Sequence, residues 1–115
     1  MKNLKNIPLQ KNDCLAIETA GNAIKNEFPV ETVILFGSKS RGSSDEYSDA
    51  DLLLVTKRPL NWREEKAVIN RLFDIGMTFD VIFSPLFASH DEWEGGVFQK
   101  SPVYADIMRD GALVA

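Results

Sequence analysis

Two aspartates, Asp49 and Asp51, stand one residue apart at the head of an apolar run, Leu52-Leu53-Leu54-Val55. Side chains on an extended strand alternate between faces, so both carboxylates emerge on one face with roughly 6.6 Å of rise between them. That pair suits magnesium, a hard cation that usually takes one or two carboxylates plus substrate phosphates. Upstream, Gly37-Ser38 directly follows another apolar run, Val33-Ile34-Leu35-Phe36. Glycine lets a backbone approach a phosphate closely. N–H groups at a helix start favour an anion, and the Ser38 hydroxyl adds a donor. Lys39 and Arg41 are nearby positive charges for outer phosphates. Asp80 interrupts Thr78-Phe79-Asp80-Val81-Ile82-Phe83. A carboxylate in an apolar strand costs several kcal/mol unless a partner offsets it. A cation shared with Asp49 and Asp51 is one such partner, and Asp80 could also act as base for an attacking hydroxyl.

Each feature has a plainer explanation when taken alone. Aspartates at strand ends are often solvated turn residues, and glycine-serine after a strand is usually a turn. Asp80 could pair with Arg71 or Lys66, and Lys39 and Arg41 could form a solvated face. Sharper alternatives fail on spacing. A calcium loop over 45–56 lacks its glycine at Ala50 and its glutamate at Thr56. A Walker loop over Gly37–Gly42 is followed by Ser43-Ser44 instead of Lys-Ser/Thr. Ser38 as a nucleophile has only His90 as a histidine base, far off in sequence.

The elements that would position these groups alternate between helix and strand. Asn12 or Asp13 can cap a helix running to about Glu27, with Ile17, Ala20, Ile24 and Phe28 at helical spacing; Pro29 stops it. Thr32–Phe36 and Asp51–Thr56 read as strands, joined by a polar loop or short helix over 37–48. Asn61, with Glu64 three residues on, opens a second long helix that Gly76 closes, its inner face being Val68, Ile69, Leu72 and Phe73. Met77–Phe83 reads as a third strand. Ser101-Pro102 starts a last helix, and Gly111 lies just past its end. The fold class is α/β (α+β), a compact domain with helices on a small sheet.

The chain has 115 residues, 44% of them hydrophobic and 26% charged, with net charge −4. One domain over 1–115 is expected, with residues 1–11 a flexible lead. A single cysteine, Cys14, and a single histidine, His90, exclude an intramolecular disulfide and a Cys/His-rich metal site. No apolar run approaches the ~20 residues of a membrane helix, and the polar N-terminus has no signal core. A cytoplasmic protein without general nucleic-acid binding is expected. The apolar segment Gly111–Ala115 is a candidate partner surface.

Leu35-Phe36-Gly37-Ser38, Arg41-Gly42 and Ser48-Asp49-Ala50-Asp51-Leu52 together resemble the polymerase-β-like nucleotidyltransferase superfamily. Ten residues separate Ser38 from Asp49, giving G-S-x(10)-D-x-D. That is similar to the minimal (MNT-type) nucleotidyltransferases, the antitoxins of HEPN-domain toxins. Lys39-Ser40 departs from the commoner Arg-Ala. The resemblance implies a small mixed sheet flanked by helices, with ATP or another nucleoside triphosphate and two Mg2+ ions. It implies that Asp49 and Asp51 hold both metals and that Asp80 holds the catalytic one and helps activate the acceptor. It implies that Gly37 and Ser38 contact the outer phosphates, and it places Arg41 near nucleotide or aspartates. The expected reaction moves a nucleoside monophosphate, AMP from ATP, to a hydroxyl with release of pyrophosphate. Relatives that modify antibiotics carry a further helical domain. Its absence here points to an acceptor supplied by a partner, a tyrosine of a HEPN toxin. The alternatives are a non-catalytic antitoxin that occludes its partner, and an enzyme acting on a small molecule such as an antibiotic. A homo-oligomer is left open.

Overall fold

The computed structural model describes residues 1–42 and 49–115. The expected turn over 43–48, with Ser48 of the motif, lies outside the described residues. The elements are β1 (Lys2–Asn3), α1 (Lys11–Glu27), β2 (Val30–Phe36), α2 (Ser38–Arg41), β3 (Ala50–Thr56), α3 (Trp62–Phe79), β4 (Phe83–Ser89), α4 (His90–Glu94), α5 (Pro102–Asp110) and β5 (Ala112–Leu113). The strands form one mixed sheet in the order β1-β5-β2-β3-β4. β2 runs antiparallel to β3 and β5, while β3–β4 and β1–β5 are parallel.

Alternation along β2 and β3 divides the core. Val33, Leu35, Leu52 and Leu54 pack with Ile17, Ala20 and Ile24 of α1 and Val68, Leu72 and Ile75 of α3. Ile34, Leu53 and Val55 point the other way, toward Ile107 of α5 and Trp93 of α4. The sheet therefore has α1 and α3 on one face and α4 and α5 on the other. Helix starts follow local chemistry: Asn61 and Glu64 form a reciprocal capping box at α3, and the Ser101 hydroxyl accepts from Val103 N–H ahead of Pro102 at α5.

Five expectations are corrected. Gly76 does not close α3; the helix continues to Phe79 and ends at Asp80, whose φ of 57° is left-handed. Gly76 is instead where the returning chain crosses, since a Cβ there would sit 2.3 Å from the Val81 carbonyl oxygen. The strand expected at Met77–Phe83 accordingly begins only at Phe83. Ile69 and Phe73, expected on the inner face of α3, are 46% and 66% exposed, and Ile75 and Gly76 are buried in their place. Residues 1–11 are no flexible lead: Lys2–Asn3 pair with β5, and Leu4 and Ile7 are buried. Gly111–Ala115 is not a free apolar surface either. β5 inserts between β1 and β2, and Val114 and Ala115 pack against the α1/α3 core.

Candidate active site

β2 ends where β3 begins, because the two strands are antiparallel and Phe36 pairs with Asp51. This register brings Gly37 against the Asp51 carboxylate. Gly37 has φ of +76°, and a Cβ built on it would lie 2.3 Å from Asp51 Oδ2. Glycine is required there twice, by its positive φ and by the oxygen in the way. The chain then turns into the single helical turn of α2, tightened by the Ser40 hydroxyl, which donates to the Gly37 carbonyl at 2.8 Å. Ser38, half-buried, opens that turn.

Asp49 is exposed just ahead of β3, and Asp51 is half-buried on its second residue. They are two residues apart and share a face. Burial raises the Asp51 carboxyl above its ordinary pKa, the negative charge of Asp49 raises it further, and Arg41 pulls it back down. Arg41, exposed at the end of α2, is thus near enough to act on the Asp51 charge. A half-desolvated carboxylate beside a second one fits a divalent cation, which would relieve their repulsion. Among the described residues no three His, Cys, Asp or Glu side chains converge. Two carboxylates suit a magnesium that keeps water and phosphate ligands.

The other expected residues lie elsewhere. Asp80 is not brought to the pair. It caps α3, is exposed, and lines an apolar groove of about 370 Å³ between α3 and β4 with Phe73, Met77 and Ile82. Nor does it meet Arg71, which pairs with Glu27 at 3.0 Å. Lys39 does not face phosphate. It is 1% exposed, and its Nζ lies 3.0 Å from Asp13 Oδ2 on α1. No local signal marks this pairing across 26 positions. Lys2 Nζ also donates to the Ser40 carbonyl at 3.0 Å, so α2 is held from two sides. His90 sits past the end of β4, with Nδ1 2.6 Å from Glu31 Oε1. That is the opposite end of the sheet from Ser38, which removes it as a base for that hydroxyl.

A family model described as a nucleotidyltransferase domain matches residues 17–88, more than half of the chain. The chain belongs to the nucleotidyltransferase domain family. The match spans Gly37, Ser38, Asp49 and Asp51. Over 57 residues this nucleotidyltransferase is 35% identical to a Methanocaldococcus jannaschii protein that carries an inferred assignment as a protein adenylyltransferase. The aligned part is 50% of this chain and 58% of that relative, so the chain spans less than two thirds of the relative's length. Three solved structures share the fold. A toxin–antitoxin with AMP-PNP superposes with TM-score 0.58 at 13% identity, covering 92% of this chain and 73% of that one. A nucleotidyltransferase of Sulfolobus solfataricus, itself assigned by inference, gives 0.53 at 19% identity over 92% and 88% of the two chains. A mutant of the toxin–antitoxin MntA–HpeT gives 0.53 at 14% identity over 93% and 72%.

Proposed function

We propose that this nucleotidyltransferase uses ATP and two Mg2+ ions to adenylylate a hydroxyl on a protein partner, a tyrosine of a HEPN-type toxin, and so acts as its antitoxin. The observation that carries the reading is the closure of Gly37 onto Asp51. It joins the glycine-serine turn and the aspartate pair into one site. The similarity to a protein assigned by inference as a protein adenylyltransferase, and to toxin–antitoxin structures, supports a protein acceptor and a toxin partner.

In this reading Asp49 and Asp51 hold the metals, and Gly37 and Ser38 meet the outer phosphates, the glycine through its bare backbone and the serine through its hydroxyl. Arg41 adds positive charge beside the pair. Bound magnesium would neutralise charge on the triphosphate and align it. The acceptor oxygen bonds to the α-phosphorus as the bond to the β-phosphate bridge breaks. Pyrophosphate leaves, and the acceptor proton is lost to solvent. Asp80 is given no role in this reading, because it is the exposed C-cap of α3 and not a strand carboxylate facing the pair. Most of the rate comes from holding the triphosphate in line, the task of a rigid strand end.

The test is incubation of the protein with ATP labelled at the α-phosphate, magnesium and its cognate HEPN protein. An adenylate on the partner, lost with Asp49→Asn or Asp51→Asn, is the expected result. An unmodified partner that is still neutralised by the double variant would replace this reading with occlusion. Label found only on a small molecule would move the acceptor to that class.

A further inference from the structure

The β4 residue beside Asp51 is Ser84. β3 and β4 run parallel, with Asp51 opposite Ser84. The next pairs on that face, Leu53–Leu86 and Val55–Ala88, pack together on the α4/α5 side. Paired residues of adjacent strands point to the same face, so Ser84 emerges on the face of Asp51, one strand spacing of roughly 4.8 Å away. On its other side Asp51 is flanked by Phe36 of β2, which packs into the same apolar cluster. The carboxylate thus has one apolar wall and one hydroxyl wall. Ser84 is half-buried near the start of a strand with one other serine, Ser89, whose hydroxyl is occupied in capping α4. Among the described residues Ser84 has no comparable structural duty.

We infer that the Ser84 hydroxyl is the third oxygen of this site, contacting the cation–triphosphate group held by Asp49 and Asp51, in the position that sequence spacing had suggested for Asp80. This rests on the proposed nucleotidyl transfer at that site. Its consequence is chemical. A hydroxyl contributes no charge, so the site presents two carboxylates to a bare cation and depends on the triphosphate to bring the ion in. Metal and nucleotide then bind as a unit.

Binding of Mn2+, read by the electron paramagnetic resonance signal of the free ion, tests this without turnover. Titrations are run with and without AMP-PNP, on the full chain and on four variants. Ser84→Ala is expected to weaken Mn2+ binding in the presence of AMP-PNP by roughly tenfold, the size of one hydrogen bond. Ser84→Asp is expected to tighten binding of Mn2+ alone by at least tenfold, since it adds a carboxylate beside Asp51. Asp80→Asn is expected to change neither. Wild-type binding by both Ser84 variants would overturn the inference, as would weakening by Asp80→Asn comparable to that by Asp51→Asn. If Ser84→Asp fails to fold, Ser84→Ala and Asp80→Asn still decide. Asp51→Asn separates the two levels: if it binds Mn2+ as wild type does, the site itself is misplaced, whatever Ser84 does.

Discussion

A methyl group at position 37 would come within 2.3 Å of Asp51 Oδ2, on a backbone whose φ is +76°. Gly37→Ala therefore meets about 1–3 kcal/mol of backbone strain, in a conformation open essentially to glycine alone, and must push Asp51 off its place. An ångström of misplacement at a reacting centre can cost about a hundredfold in rate. Adenylate transfer by Gly37→Ala should fall by about that factor, with a lower melting temperature. Asp51 itself should behave in the opposite way toward stability. Its carboxyl is raised above 3.8, first by burial and then by Asp49. The folded state then holds that proton more tightly than the unfolded state, so the charged group weakens the fold at neutral pH. Its penalty lifts as pH falls through the raised pKa toward 3.8. In chelator at pH 7, Asp51→Asn should melt above wild type, and, under the proposed function, it should lack the further stabilisation expected of wild type on adding magnesium and nucleotide. A variant melting below wild type in chelator would show that the carboxylate carries no such strain.

At the scale of elements, α2 is positioned by a partner far along the chain. Lys39 is 1% exposed and Asp13 16%, with Nζ and Oδ2 3.0 Å apart. Removing one partner of a buried pair leaves a buried charge and costs about 3–5 kcal/mol; the exposure of Asp13 trims that. Asp13→Asn should lose about 2–4 kcal/mol in urea denaturation and raise the KM for nucleotide, because α2 carries Ser38. Lys39→Met combined with Asp13→Leu should recover most of the stability. The start of α3 responds to acid. Arg58 donates to Glu64 at 2.6 and 2.9 Å, which with the Asn61 cap lowers the Glu64 carboxyl from 4.5 to about 2. That contribution is whole above pH 4.5 and is lost as pH falls toward about 2. Glu64→Gln keeps the capping box but should flatten the acid limb of a stability profile. Such caps are local, so α3 and α5 were legible at their starts, as were β2 and β3 from their apolar runs. The start of α1 was not: Asn12 and Asp13, expected as its cap, lie inside a helix that begins at Lys11 after Gln10, with no side-chain cap. Nor was β4. Pro85 reads against a strand, yet it is tolerated because β4 lies at the sheet edge. Thr78–Phe83 has strand composition but is divided between the last turn of α3, a left-handed cap and the approach to β4. Only the crossing of Val81 over Gly76 decides that, and the expectation for Asp80 as a strand carboxylate fell with it. The meeting of Gly37 with Asp51 was legible because both stand at the ends of two runs of clear type. The place of Ser84 depends on strand pairing, which the sequence does not print.

At the scale of the whole molecule, the site depends on a sheet that is completed by residues from both ends of the sequence. β5 lies between β1 and β2 and pairs with both. Val114 N–H donates to the Val33 carbonyl at 2.8 Å, and Val33 N–H donates to the Ala115 carbonyl at 2.9 Å. Val114 Cγ1 fills the space over Gly21, 2.5 Å from where a Cβ would stand. Deleting residues 112–115 removes these bonds, uncovers α1 and leaves β1 without its pairing strand. Lost apolar burial and hydrogen bonds together come to about 3–5 kcal/mol, a large share of the 5–15 kcal/mol of a typical domain. The melting temperature should fall by about 10 °C or more. Magnesium-nucleotide affinity should fall too, because β2 carries Gly37 at its far end. A second substitution separates loss of packing from a merely shorter chain. Gly21→Ala should destabilise the full chain, where Val114 occupies the methyl's place. In the shortened chain the same change should stabilise by up to about 1 kcal/mol, the helix preference of alanine over glycine. A shortened chain melting within about 2 °C of the full one, with Gly21→Ala acting alike in both, would mean that β5 is an appendage and that the sheet holds Gly37 against Asp51 without it.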